Sequence, residues 1–303
     1  MAAVCAEAVG RERREMARFL PSVQVDTDEE LADVLYEWLE QRVRWNRKQA
    51  RACSELLLVS YRDPAFASFS GRWLETCQGL IGRLQPTLSP EATRTIACFL
   101  SVEISYWLLL ADDPQFRLAS GEALRRVTRL AGRTEAPLPV FWLGYSLGLP
   151  DARRTVDLNG TKLRIIEATA DIILKDGVQA VTHREIAKRS GASLSSLTYH
   201  FESLGDLIRN GLQLIFSPGR TAAMPERAVV SYELVLQALR DPFLAPLAAT
   251  VRRQLGVGLF GECLPSDDVA SKALCEVAVM LETALVLAGE NGAAAREGLC
   301  ADC

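Results

Sequence analysis

Near the middle of the chain Ser193 is followed by Leu-Ser-Ser-Leu-Thr-Tyr-His, ending at His200. Read as a helix, this run turns Leu197 and Phe201 inward, four residues apart on one face. Ser195, Ser196, Thr198 and Tyr199 are left on the outer side. Hydroxyls can donate to phosphate oxygens or to base edges. Small side chains let a helix backbone sit deep in a major groove about 12 Å wide. Arg184, Lys188 and Arg189 bring cations to the preceding segment. The chemistry on offer is recognition of a polyanion.

Catalysis finds no comparable set. The histidines are His183 and His200, and no Ser/His/Asp arrangement, metal cluster or phosphate loop accompanies them. His200 adjoins Phe201, which suits packing or a hydrogen bond at a helix end. The eight cysteines are Cys5, Cys53, Cys77, Cys98, Cys263, Cys275, Cys300 and Cys303. Several fall at apolar helical positions, where a free thiol acts as a small hydrophobe. Cys300 and Cys303 have C-x-x-C spacing, but a structural zinc site wants four ligands. The reading is a non-enzyme with no metal and no cofactor.

Three elements must position the hydroxyl-bearing helix. The first runs from about Thr161 to Lys175, with Ile165, Ile166, Ala168, Ile172 and Ile173 facing inward. Gly177 closes it as a glycine just past a helix end does. Thr182 caps a short second helix, Glu185 completing a capping box, with Ile186 and Ala187 as its buried face. Gly191 permits a tight turn, and Ser193 caps the third helix. Two short helices joined through a glycine turn form a helix-turn-helix. The N-termini of the second and third helices offer free N–H groups to phosphates.

The run TADIILKDGVQAVTHREIAKRSGASLSSLTYHFESLGDLI resembles the DNA-binding domain of the TetR family of transcriptional regulators. The T-x-x-x-I-A-x-x-x-G-x-S core and the Y-H-F signature carry the resemblance. It implies a one-component repressor that binds a palindromic operator as a two-fold dimer and leaves when a small ligand binds a helical effector domain. By position, Thr182 and Tyr199 would touch phosphates, and Arg184, Ser193, Leu194, Ser195, Ser196 and Thr198 would lie at the DNA surface, with His200 beside them. The family usually has Tyr at the position of Thr198. It also follows the position of Phe201 with Ser-Lys-Glu/Asp after one variable residue, the Lys gripping phosphate. Here Leu204 and Gly205 stand instead, which predicts a weaker hold on the backbone or a nonstandard approach to the duplex.

The remainder reads as all-α. At 303 residues, 49 % apolar and 24 % charged, the chain has room for two ordinary domains. No stretch of eighteen apolar residues lacks a charge, and the N-terminus is charged where a signal peptide needs an apolar core. The cytoplasm is the expected location, with no membrane partner. The net charge of −4 divides into −1 over residues 1–150, +2 over 151–220 and −5 over 221–303. The positive middle marks where a polyanion is best tolerated.

Thr27 and Glu30 form a capping box ahead of a stripe of Leu31, Val34, Leu35 and Leu39; Pro64 and Ser89-Pro90-Glu91 mark further helix starts. Residues 134–158 are rich in Pro and Gly and read as a linker, although Phe141, Trp142 and Tyr145 suggest that it packs on something. SELLLVSYRDPAFASF from Ser54 and YELVLQALRDPFLAPL from Tyr232 share Glu-Leu, a central Leu and Arg-Asp-Pro at an offset of 178. The segment from Ser89 likewise resembles the one from Ser266, with Cys98 opposite Cys275. Two matches in the same order point to an internal duplication.

The expected organisation has four parts. A TetR-type effector-like domain at 1–133 has lost its reading head or keeps only GRERREMARFL of it, and the 134–158 linker follows. A helix-turn-helix domain at 159–216 and a helical effector or dimerisation domain at 217–303 complete the chain. Trp73, Tyr106 and Trp107 are candidates for lining an effector cavity, the effector being small and largely apolar. The functional expectation is a ligand-responsive repressor acting on a double-stranded DNA operator, as a homodimer or an intrachain pseudo-dimer. The alternative is a ligand sensor or heterodimer partner whose head is degenerate.

Overall fold

The computed structural model describes residues 2–19, 25–132, 160–217 and 224–254. Among these there is no strand; every regular element is a helix. The 134–158 linker, with Phe141, Trp142 and Tyr145, lies outside the described residues. So do Cys263, Cys275, Cys300 and Cys303 and the segment from Ser266. The chain divides into two compact bodies, the second spanning Gly148–Arg252.

The first body holds α1 (Ala2–Phe19), α2 (Asp28–Trp45), α3 (Arg47–Arg62), α4 (Ser68–Leu84), α5 (Pro90–Leu110) and α6 (Pro114–Gly132). The capping box at Thr27 forms in both directions: its hydroxyl accepts from the Glu30 N–H, and the Glu30 carboxylate accepts from the Thr27 N–H. Ser89 caps α5, with Pro90 in the first turn. Leu31, Leu35 and Leu39 are fully buried, so the periodic stripe read from the sequence is the core face of α2. The expected Val34 of that stripe is only half-buried.

Helix α5 packs against α2, α3, α4 and α6. It is apolar and long enough to cross a membrane by length and composition, but most of it is buried inside the protein, as a core helix is. Ion pairs tie α2 to α6 around it: Arg117 to Glu40 at 2.8 Å, Arg125 to Asp33 at 3.2 Å, and Arg129 to Glu29.

The second body holds α7 (Thr161–Asp176), α8 (His183–Ser190), α9 (Leu194–His200), α10 (Leu204–Ile215), α11 (Met224–Ala238) and most of α12 (Ala245–Gln254). Helix α7 is its hub, packing against α8, α10 and α11. Gly211 on α10 sits where a Cβ would lie 2.9 Å from Thr169 Cγ2 and 3.1 Å from Ile173 Cδ1. Only hydrogen fits, and that lets α10 close onto α7.

Pro64 does not open α4, as its helix-start reading predicted. It starts a three-residue 3-10 turn, Pro64–Phe66, and α4 begins at Ser68. The cause is Asp63, whose carboxylate accepts from the Ala65 N–H at 2.9 Å and draws the chain into the tighter turn. Pro242–Leu244 repeats this. The Asp241 carboxylate accepts from the Phe243 N–H at 3.1 Å, and α12 follows the turn directly. Asp63 at φ −123°, ψ 112° and Asp241 at φ −121°, ψ 97° share one backbone conformation.

Candidate nucleic-acid interface

Helices α7, α8 and α9 are set by a small buried wedge. Ile165, Ile166, Ile172, Ile173, Ile186 and Leu197 are at most 1 % exposed, and Ala168 and Phe201 are buried with them. Ala187, expected inside, is only half-buried. Gly191 joins α8 to α9 at φ 66°, ψ 14°. That left-handed conformation costs a residue with a Cβ about 1–2 kcal/mol. Gly177 ends α7 at φ 87°, handing the chain to a 3-10 turn at Val178–Ala180.

With Leu197 and Phe201 inside, α9 presents the expected outer face. Ser193, Leu194, Ser195, Thr198 and Tyr199 are exposed, and Ser196 and His200 are half-exposed. Tyr199 is 84 % exposed and Leu194 56 %, two large apolar groups left in water. The His200 ring meets Tyr199 edge-on, centroids 5.0 Å apart, and Phe201 at 6.4 Å. It packs as an aromatic spacer between the signature's two neighbours.

The hydroxyls hold one another. Ser193 Oγ accepts from the Ser196 N–H at 3.1 Å and lies 2.8 Å from Ser195 Oγ and 3.0 Å from Ser196 Oγ. Thr198 donates back to the Ser195 carbonyl at 3.1 Å. A hydroxyl has one donor and two acceptor sites, so this arrangement keeps acceptor capacity facing outward and can turn its protons to a ligand.

Thr182 and Arg184 are exposed at the start of α8. Thr182 caps that helix, its hydroxyl accepting from the Glu185 N–H at 3.1 Å. Glu185 does not close the capping box as expected. Its carboxylate is turned instead to Arg189 Nε at 2.8 Å. Arg189 also donates to Asp176 at 2.6 Å, bracing α8 against the end of α7. These bonds, Glu185 first and Asp176 second, raise the Arg189 pKa above the ordinary guanidinium value. Arg189 is therefore a strut between α8 and the end of α7. Arg184 and Lys188, the latter's side chain 78 % exposed, remain at the surface.

Beyond α9, Ser203 caps α10 by accepting from the Asp206 N–H at 3.1 Å. Leu204 and Gly205 thus occupy the first turn of α10. Arg209, one turn on, pairs with Asp241 at 3.2 Å and covers the Phe243 ring at 5.3 Å.

The three aromatic candidates of the first body sit in its core. Trp73, Tyr106 and Trp107 are at most 2 % exposed. Trp73 Nε1 donates to Ser101 Oγ at 3.0 Å, and Trp107 Nε1 donates to Ser120 Oγ at 2.7 Å. Tyr36 and Phe116 meet the Trp107 ring edge-on. Elsewhere in this body an open hollow of about 600 Å³ is lined by residues including Glu7, Arg11, Arg44, Trp45, Lys48 and Leu56. Trp45 is 75 % exposed there, with the Arg44 guanidinium over its ring.

Residues 165–209, the segment that builds this surface, match the family model for bacterial regulatory proteins of the tetR family. No curated protein and no solved structure matches the chain.

Proposed function

We propose, starting from a chain that is a DNA-binding transcriptional regulator of the TetR type, that it represses transcription from an operator and is released by a small effector. The observation that carries the reading is the outer face of α9, hydroxyls around an exposed Tyr199, on a helix whose inner face is locked by Leu197 and Phe201. In this reading Thr182 and Tyr199 touch phosphates. Arg184, Ser193, Leu194, Ser195, Ser196 and Thr198 line the groove, and His200 orients Tyr199.

In this reading the chain combines two related regulators, and the second carries the reading head. The matching Asp63 and Asp241 turns support that duplication, because each follows a helix of the repeated sequence and precedes another. Among the described residues α7–α9 precede α10 in the second body, and α1 precedes α2 in the first. One head reads one half-site with modest, salt-sensitive affinity. Pairing of two chains supplies a second head, and we favour it over an intrachain pseudo-dimer.

The effector site belongs to the helical part. With Trp73 and Trp107 hydrogen-bonded into the core, a ligand at Trp73, Tyr106 and Trp107 would have to displace packed side chains. The hollow beside Trp45 is the accessible alternative, and its cations would suit an anionic effector rather than an apolar one.

A second reading, a sensor or heterodimer partner with a weakened head, is favoured by two features. Leu204 stands where the resemblance expects a phosphate-gripping lysine, and Arg189 is engaged by Glu185 and Asp176. A gel shift with the DNA upstream of the chain's own coding region separates the readings. Retardation at low salt supports the repressor, and its absence supports the sensor. Sedimentation on and off that DNA tests pairing: a strict monomer in both states contradicts the dimer.

A further inference from the structure

The joint between α7 and α8 is held from outside the reading head. A carboxylate oxygen of Glu233, on α11, accepts a hydrogen bond from the Val178 N–H at 2.8 Å. Both groups are buried, Glu233 at 2 % exposure and Val178 at 3 %. Val178 is the first residue of the 3-10 turn after Gly177, where the N–H groups have no partner within the turn. A buried carboxylate is stable only when its oxygens are satisfied, and a buried amide left unbonded is costly. Each group therefore constrains the other, and the constraint falls on the turn that sets how α8 leaves α7.

The repeated sequence provides an internal control. At the same offset of 178 that aligns Asp63 with Asp241, Glu233 aligns with Glu55. Glu55 has a side chain 33 % exposed and pairs with Arg51 of its own helix at 3.0 Å. So one sequence position carries a carboxylate in both bodies. In the second body that carboxylate accepts from the N–H of the turn that joins α7 to α8.

We propose that Glu233 is a positioning residue for DNA reading: its carboxylate fixes the Val178 turn, and through it the angle of α8 and α9, so that α11 sets the head's affinity. This rests on the DNA-binding reading above. Arg209 adds a second tie in the same direction, from α10 to Asp241 in the turn after α11. A shift of α11 along its axis would pull on the head at both points.

The test uses the full chain and four variants: Glu233→Ala, Glu233→Asp, Glu233→Gln and, as control, Glu55→Ala. Asp keeps the charge but withdraws it by one methylene, and Gln keeps an acceptor oxygen at the same reach. Two quantities are read. One is hydrogen exchange at the Val178 amide without DNA. The other is affinity for a duplex selected on the unaltered chain from a random pool. We expect Ala and Asp to speed exchange at Val178 at least tenfold and weaken DNA binding about tenfold, Gln to restore both to within threefold, and Glu55→Ala to change neither. Val178 staying protected in both Ala and Asp would overturn the proposal. So would unchanged affinity despite deprotection, or an equal loss from Glu55→Ala. If the unaltered chain selects no duplex, the DNA-binding reading fails separately, while exchange still reports whether Glu233 holds the turn.

Discussion

At the scale of single residues, the reading surface is defined by what is left in water. Tyr199 and Leu194 are apolar groups exposed on a seven-residue helix whose other face is anchored by Leu197. Exposed side chains contribute little to folding, so their replacement should be silent in stability and audible in binding. Tyr199→Ala is expected to weaken DNA binding about tenfold, roughly 1.4 kcal/mol, while leaving unfolding within about 0.5 kcal/mol. Fluorescence anisotropy and thermal melting measure the two sides. Leu204→Lys should act in the opposite sense, strengthening binding and steepening the slope of log affinity against log salt by about 0.9, one phosphate contact. Gly211→Ala belongs to the interior. A methyl 2.9 Å from Thr169 Cγ2 forces α10 off α7, with an expected loss of about 1–3 kcal/mol in denaturant unfolding.

At the scale of elements, much was legible because it depends on neighbours in sequence. The stripe of Ile165, Ile166, Ile172 and Ile173 follows from helical periodicity, and the caps at Thr27, Ser89, Thr182 and Ser193 follow from hydroxyls at helix starts. The rest depends on partners brought close by folding. Arg189 reads as a free cation until Asp176, thirteen positions away, is seen beside it. Glu233 reads as one more surface carboxylate until its helix is docked, since its partner lies fifty-five positions upstream. Pro64 reads as a helix start because the local tie between Asp63 and Ala65 is a choice between two turns that both tolerate proline. The aromatic residues of α5 show the same limit. Composition marks Trp107 as large and buried, and only the fold shows Tyr36, Phe116 and Ser120 closed around it. Trp107→Ala should therefore cost the first body about 3–5 kcal/mol, seen as a lower unfolding midpoint.

At the scale of the whole molecule, the chain divides into two helical bodies, and the match to the regulatory family lies in the second. Each body has an Arg-Asp-Pro turn, and the two fold alike because each is a local structure set by its own aspartate. The family match falls on α7–α9 and the start of α10, and there the regulatory reading concentrates. A selection of duplexes from a random pool by the full chain, with Ser196→Ala and Tyr199→Ala variants run in parallel, tests it most directly. The account predicts that the unaltered chain enriches a defined sequence at low salt and that both variants lose most of that enrichment. Enrichment of no sequence, or an undiminished enrichment by the variants, would contradict the claim that α9 reads DNA.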